Sequence, residues 1–151
     1  MRQVHVNVYI NAPIERVFDA VTDHEGFLRG EDGTHATITR PGSPDRNGLG
    51  CLREVRAPNG VRFVEEVTSF SPPTSYEYQI QKTSLPLRHH GGQVRLTARG
   101  DGTEINWTSR FDLTVPLVGG ALEPIAASIL TTKFTEMLLA AKARLEGRPR
   151  Q

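Results

Sequence analysis

Cysteine is nearly absent: Cys51 is the single thiol among 151 residues. An internal disulfide and a cysteine-based metal cluster are therefore excluded, and the composition suits a reducing compartment. Long apolar runs are missing as well. No stretch approaches the roughly 20 residues of a membrane-spanning helix, and the first residues carry no apolar signal core, so a cytoplasmic location without integral membrane association is expected. An excess of charge of either sign is also lacking, since 18 Lys plus Arg against 17 Asp plus Glu give a net +1. That removes the electrostatic case for a nucleic-acid partner. The chain holds no nucleophile elbow, phosphate loop or dinucleotide fingerprint, and no third ligand stands at metal spacing beside His89 and His90. No metal and no cofactor are expected. A chain of this length is expected to form one domain, 1–151, with a core of its own.

What is present is mostly strand. Val4, Val6, Val8 and Ile10 alternate with polar residues, the period-two signature of a half-buried strand. Pro13 then opens a short helix, capped by Asn11 or Ala12, with Ile14, Val17, Phe18 and Val21 on one face. A further turn, His24 to Leu28, carries Phe27 and Leu28 inward. Thr34 to Arg40 reads as a strand and Pro41 to Gly48 as a loop. The longest helix runs from Leu122 to Glu146, with Pro124 in its first turn and Gly147 and Pro149 as its stop. Leu122, Ala126, Ile129, Leu130, Phe134, Met137, Leu138, Ala141 and Leu145 make its apolar side. Lys133 interrupts that stripe. It reads either as a stem that packs while its ammonium reaches water, or as a cation aimed into a cavity beneath the helix.

Turn chemistry sets the registers. Between Leu49 to Arg56 and Val61 to Phe70 lies Ala57-Pro58-Asn59-Gly60, and a type I turn with Pro58 second and Gly60 left-handed suits all three special residues. It pairs Val55 with Phe63, Arg53 with Glu65 and Cys51 with Val67 on one mostly apolar, hence inner, face. Tyr76, Tyr78 and Ile80 alternate inward on the next strand. Asp101-Gly102 signals a type I′ hairpin joining Gly92 to Arg99 with Thr103 to Val115, pairing Ala98 with Ile105, Leu96 with Trp107 and Val94 with Ser109. Thr83 to Gly92, with Leu87, Arg88, His89 and His90, reads as a loop. The order is strand, two short helices, six strands and a long helix: an α+β protein whose seven-stranded antiparallel sheet curls around its C-terminal helix.

Three stretches, INAPIERVFDAVTDHEGF (Ile10 to Phe27), SPPTSYEY (Ser71 to Tyr78) and GDGTEINW (Gly100 to Trp107), resemble the START-like helix-grip superfamily and its polyketide cyclase/dehydrase branch. The resemblance implies the helix-grip fold and a cavity for a small hydrophobic ligand. GCLREV (Gly50 to Val55) followed by Glu65 is similar to plant abscisic-acid receptors, where the matching glutamate lines the ligand cavity; the tip Ala57 to Gly60 is shorter than their gate loop. Bacterial aromatase/cyclases place an arginine on the inner side of the strand matching Val61 to Phe70. Here the inner positions are Phe63, Glu65, Val67 and Ser69, with Arg53 on the adjacent strand.

The expected function is binding of an aromatic, polyketide-like or lipid-like ligand between sheet and helix. Arg53, Val55, Phe63, Glu65, Val67, Tyr76, Tyr78, Leu96, Trp107, Lys133 and Met137 are the candidate ligand contacts, and Leu87, Arg88, His89 and His90 the cavity mouth. The alternative is an aromatase/cyclase or dehydratase in which Glu65 or Tyr78 acts as acid or base and Arg53 polarises a carbonyl. A third, interaction role needs an exposed apolar patch. Arg53 and Glu65 read equally as a structural ion pair, the tyrosines and Trp107 as core, and the two histidines as solvated loop residues.

Overall fold

The computed structural model describes residues 1–147; Pro149, expected in the helix stop, lies outside them. The alternating Val4, Val6 and Ile10 are buried along β1 (Arg2–Ile10). Pro13 itself, extended at φ −61° and ψ 147°, is the cap of α1 (Ile14–Thr22), in place of Asn11 or Ala12. The side chain of Asp23 then accepts the Gly26 N–H to start α2 (His24–Phe27). The strands β2 (His35–Arg40), β3 (Leu52–Arg56), β4 (Arg62–Ser71), β5 (Ser75–Thr83), β6 (Leu87–Arg99) and β7 (Gly102–Leu113) follow, then α3 (Gly119–Leu145). All seven strands form one antiparallel sheet in the order β1-β7-β6-β5-β4-β3-β2. This is the expected α+β helix-grip architecture.

The β3–β4 register is the expected one, with Arg53 opposite Glu65 and Val55 opposite Phe63. Its turn differs in detail. Asn59 as well as Gly60 has a positive φ, 66° and 77°, because the Asn-Gly pair tolerates the left-handed region at both positions. On β4 an extra residue at Thr68 shifts the pairing with β5. The inner side beyond it therefore belongs to Phe70, which meets Phe18 at 5.4 Å between ring centres, and not to Ser69.

The last hairpin departs by two residues. Leu96 faces Ile105, Val94 faces Trp107 and Gly92 faces Ser109, so the loop is Gly100-Asp101. Gly100 takes the positive φ of 58°, the pattern of a type II′ turn with glycine first. Gly102 is glycine for another reason: a Cβ there would lie 2.2 Å from the Tyr9 hydroxyl oxygen. An even shift leaves every side chain on its expected face. The predicted loop Thr83 to Gly92 is also shorter than expected, because Leu87, Arg88 and His89 pair with Leu113, Asp112 and Phe111 inside β6. A bulge at His90 and Gly91 (φ 112°) breaks the alternation there and hid the strand.

The long helix starts a turn early. Gly119 and Gly120 form its first residues, and Pro124 sits in the second turn rather than the first. Gly119 approaches the end of β7 so closely that a Cβ would lie 2.9 Å from the Leu113 carbonyl oxygen. Toward the other end, Met137, Leu138 and Ala141 are buried, and Lys142 donates to the Tyr9 carbonyl at 2.7 Å and to Glu146, which in turn accepts the Asn11 N–H. The apolar stripe does not pack along its whole length. Ile129 is 57% exposed and lines a hollow beneath the middle of α3, whereas Leu122 and Ile125, 39% and 59% exposed, lie outside that lining toward the start of the helix.

Candidate functional site

The hollow is a cavity of about 600 Å³ bounded by the inner faces of β3 to β7, the middle of α3, the β3–β4 turn and the segment between α2 and β2. Its walls are largely apolar, with Leu28, Val55, Phe63, Ile80, Trp107, Leu130, Phe134 and Met137 among them. Trp107 stacks on Phe134 with ring centres 3.7 Å apart and planes 5° from parallel, and meets Phe27 at 5.6 Å with the planes tilted by 42°. The two stacked rings form one wall without closing the space.

The polar part of the cavity is built on the register. Opposition of Arg53 and Glu65 on β3 and β4 brings the Arg53 Nε to 2.8 Å from Glu65 Oε1. Arg53 is fully buried and Glu65 only 8% exposed, facing the cavity. A guanidinium taken out of water needs a countercharge and filled hydrogen bonds. Glu65 supplies the first; Nη1 donates to His24 Nδ1 at 2.8 Å and to the Tyr76 hydroxyl at 3.3 Å, and the Tyr78 ring lies 4.7 Å below the guanidinium carbon. The second nitrogen of His24 donates to the Asn47 carbonyl at 2.8 Å. His24 is therefore neutral, and burial, followed by the Arg53 charge, pushes its pKa down to about 3.

A second polar group lies on β5, β6 and β7. His89 Nδ1 accepts the Ile80 backbone N–H at 3.0 Å, and its Nε2 donates to Ser109 Oγ at 2.9 Å. Burial first, then the neighbouring charges of His90 and Arg53, lowers the His89 pKa to about 4. The Tyr78 hydroxyl accepts from Trp107 Nε1 at 2.9 Å. Burial, with the Glu65 charge second, raises the Tyr78 pKa above the ordinary phenol value. Gly92, opposite Tyr78, has no side chain because the phenol occupies its place: a Cβ would lie 2.1 Å from Tyr78 Cζ.

Of the residues expected at the ligand, Arg53, Val55, Phe63, Glu65, Tyr78, Trp107, Lys133 and Met137 line the cavity. Val67, Tyr76 and Leu96 do not. They are buried in the core beyond the Arg53 layer, where Val67 packs beside Cys51, Tyr76 closes on His24, and Leu96 opposes Ile105. Among the residues expected at the mouth, Leu87 and His89 are cavity wall, not solvated loop. Arg88 and His90 lie on the outer side, where His90 meets Asp112 at 2.6 Å. Lys133 follows neither of its two readings fully. Its ammonium is held at the rim, 2.5 Å from Asp32, and this hydrogen bond is the main cause that lowers the Asp32 pKa and raises that of Lys133.

Sequence reasoning missed His24, Asp32 and the role of Ser109. The signal for His24 existed: it shares a helical face with Phe27 and Leu28, both directed inward. Asp32 sits in a polar turn that gives no such cue. Among the described residues no group of three or more His, Cys, Asp or Glu side chains could hold a metal ion, and no helix is long and apolar enough to cross a membrane.

An antiparallel sheet gripping a C-terminal helix around an internal, mostly apolar cavity defines the class. Within it, the chain belongs to the family described as polyketide cyclase / dehydrase and lipid transport, whose sequence model matches residues 1–146. TTHA0849 from Thermus thermophilus has the same fold, with a TM-score of 0.79 at 22% identity over 97% of this chain and 98% of that one. Ara h 8.0201 matches at 0.70 and 15% identity, with 97% and 99% covered. DynU16, from the dynemicin biosynthetic locus, matches at 0.68 and 19% identity, covering 97% of this chain and 48% of its own. Likeness at these identities concerns the fold alone. No curated protein matches the chain.

Proposed function

We propose that the protein binds a small, largely apolar molecule, aromatic, polyketide-like or lipid-like, in the cavity beneath α3. The observation that carries this reading is the cavity itself: about 600 Å³ of space walled by apolar side chains, within the range of small-molecule sites. Glu65, held by Arg53, is the polar group that orients the ligand, and the family description, which names both cyclisation and lipid transport, supports the same class. Native mass spectrometry of protein purified from its own cell tests the reading. A co-purifying hydrophobic compound, released on denaturation, is expected; protein that is empty and stays empty when offered apolar aromatics and fatty acids rejects it.

A second reading, an aromatase/cyclase or dehydratase, is favoured by one observation. A carboxylate (Glu65), a phenol (Tyr78) and a guanidinium (Arg53) meet in the same cavity, the groups that proton transfer next to a carbonyl requires. In that case Glu65→Gln abolishes turnover of a polyketide-like chain while ligand binding persists. Unchanged turnover removes Glu65 from the chemistry.

A further inference from the structure

We infer that Tyr78 and Ser109 form a two-donor subsite that grips one neutral carbonyl oxygen of the ligand, an inference that rests on the binding role proposed above. The direction of the hydrogen bonds carries it. A backbone N–H can only donate, so His89 Nδ1, which accepts from Ile80 at 3.0 Å, bears no proton. The proton of the neutral ring therefore sits on Nε2 and is donated to Ser109 Oγ at 2.9 Å. An indole N–H likewise only donates, so the Tyr78 oxygen is the acceptor from Trp107 Nε1 at 2.9 Å. Both hydroxyls thus have an oxygen already engaged and a proton still to give.

Neither proton has a protein acceptor among the described residues, although Tyr78 and Ser109 are only 3% and 5% exposed and both line the cavity. Buried donors without acceptors are costly. The two are also neighbours by construction: Tyr78 and Ser109 both oppose Gly92, one from each side of β6. The bare backbone of Gly92 lets the phenol lie across β6 toward β7, with the hydroxyl oxygen 2.5 Å from where a Cβ would stand. The surroundings select a neutral acceptor. Arg53 and Glu65 cancel each other, His24 and His89 are uncharged, and Glu65 faces the same cavity, where it would repel an anionic oxygen. A ketone, ester or quinone oxygen on an apolar body meets these terms; a hydrocarbon does not.

Fluorenone and fluorene, which differ in a carbonyl against a methylene, separate this subsite from simple apolar binding. Fluorenone is expected to bind about tenfold more tightly, the gain from two hydrogen bonds that fill unsatisfied donors. Its carbonyl stretch in the complex should shift to lower frequency, as in an alcohol, and Ser109→Ala and Tyr78→Phe should each move the band back toward its hydrocarbon position. The wild-type spectrum and Ser109→Ala carry the test if Tyr78→Phe does not fold. Equal affinity for both compounds, or a band at its hydrocarbon position, overturns the subsite and leaves the binding role standing. Failure of both compounds to bind overturns the two together.

Discussion

Replacing Glu65 by Gln removes a charge while keeping nearly the same shape, and the structure sets what this should cost. Arg53 is fully buried and its nearest anion is Glu65 at 2.8 Å; His24 and Tyr78 beside it are neutral. Without Glu65 the guanidinium keeps its hydrogen bonds but loses its countercharge. Breaking a buried pair costs about 3–5 kcal/mol, and the lower end applies because Glu65 borders the cavity, where water can partly solvate the site. Unfolding in urea, followed by the fluorescence of the single, buried Trp107, should show a midpoint lower by roughly 1.5 M for a slope near 2 kcal/mol/M. The apolar double variant Arg53→Met with Glu65→Leu should recover part of the loss and not all of it. His24 Nδ1 would lack its donor, and the Asn47 carbonyl prevents a tautomer switch. A Glu65→Gln midpoint within about 0.3 M of wild type would refute the claim that this pair balances a desolvated charge.

Two further outcomes follow from the same geometry. His24 and His89 titrate near 3 and 4 in the folded chain against 6.5 when unfolded, so the unfolded state takes up protons first. Stability is complete above pH 6.5 and falls as the pH drops, by about 2 kcal/mol per histidine at about pH 5; His89→Gln should halve the slope of stability against pH, and an unchanged slope would show that His89 is not buried neutral. Gly92→Ala sets a methyl 2.1 Å from Tyr78 Cζ. It should destabilise by about 1–3 kcal/mol and perturb the near-ultraviolet dichroism of Trp107, whose N–H loses its acceptor; a wild-type spectrum and stability would contradict the placement of Tyr78.

The inner face was legible where local chemistry leaves one solution. Pro58 and Gly60 fix the hairpin register, and the register alone puts Arg53 opposite Glu65. The β6–β7 register was misread by two residues, because Gly100, Asp101 and Gly102 offer two adjacent turn sites and the choice depends on Tyr9, far away in sequence. That error cost nothing in facing. His89 was different: a bulge at Gly91 breaks the period of two, so an inward residue looked like loop. Lys133 could not be settled from its own helix, since its partner Asp32 comes from a turn 101 residues away. The hollow itself has no sequence signature, because an apolar helix face looks the same over a cavity as over a packed core.

The central claim is that the space under α3 takes up an apolar ligand. Titration with N-phenyl-1-naphthylamine, a neutral fluorophore, tests it directly against a Leu130→Trp variant, whose larger side chain enters the cavity from α3. Saturable one-to-one binding by the wild type, lost in a variant that still melts cooperatively, is the result expected. Absence of saturable binding, or equal binding by the filled variant, would contradict the account.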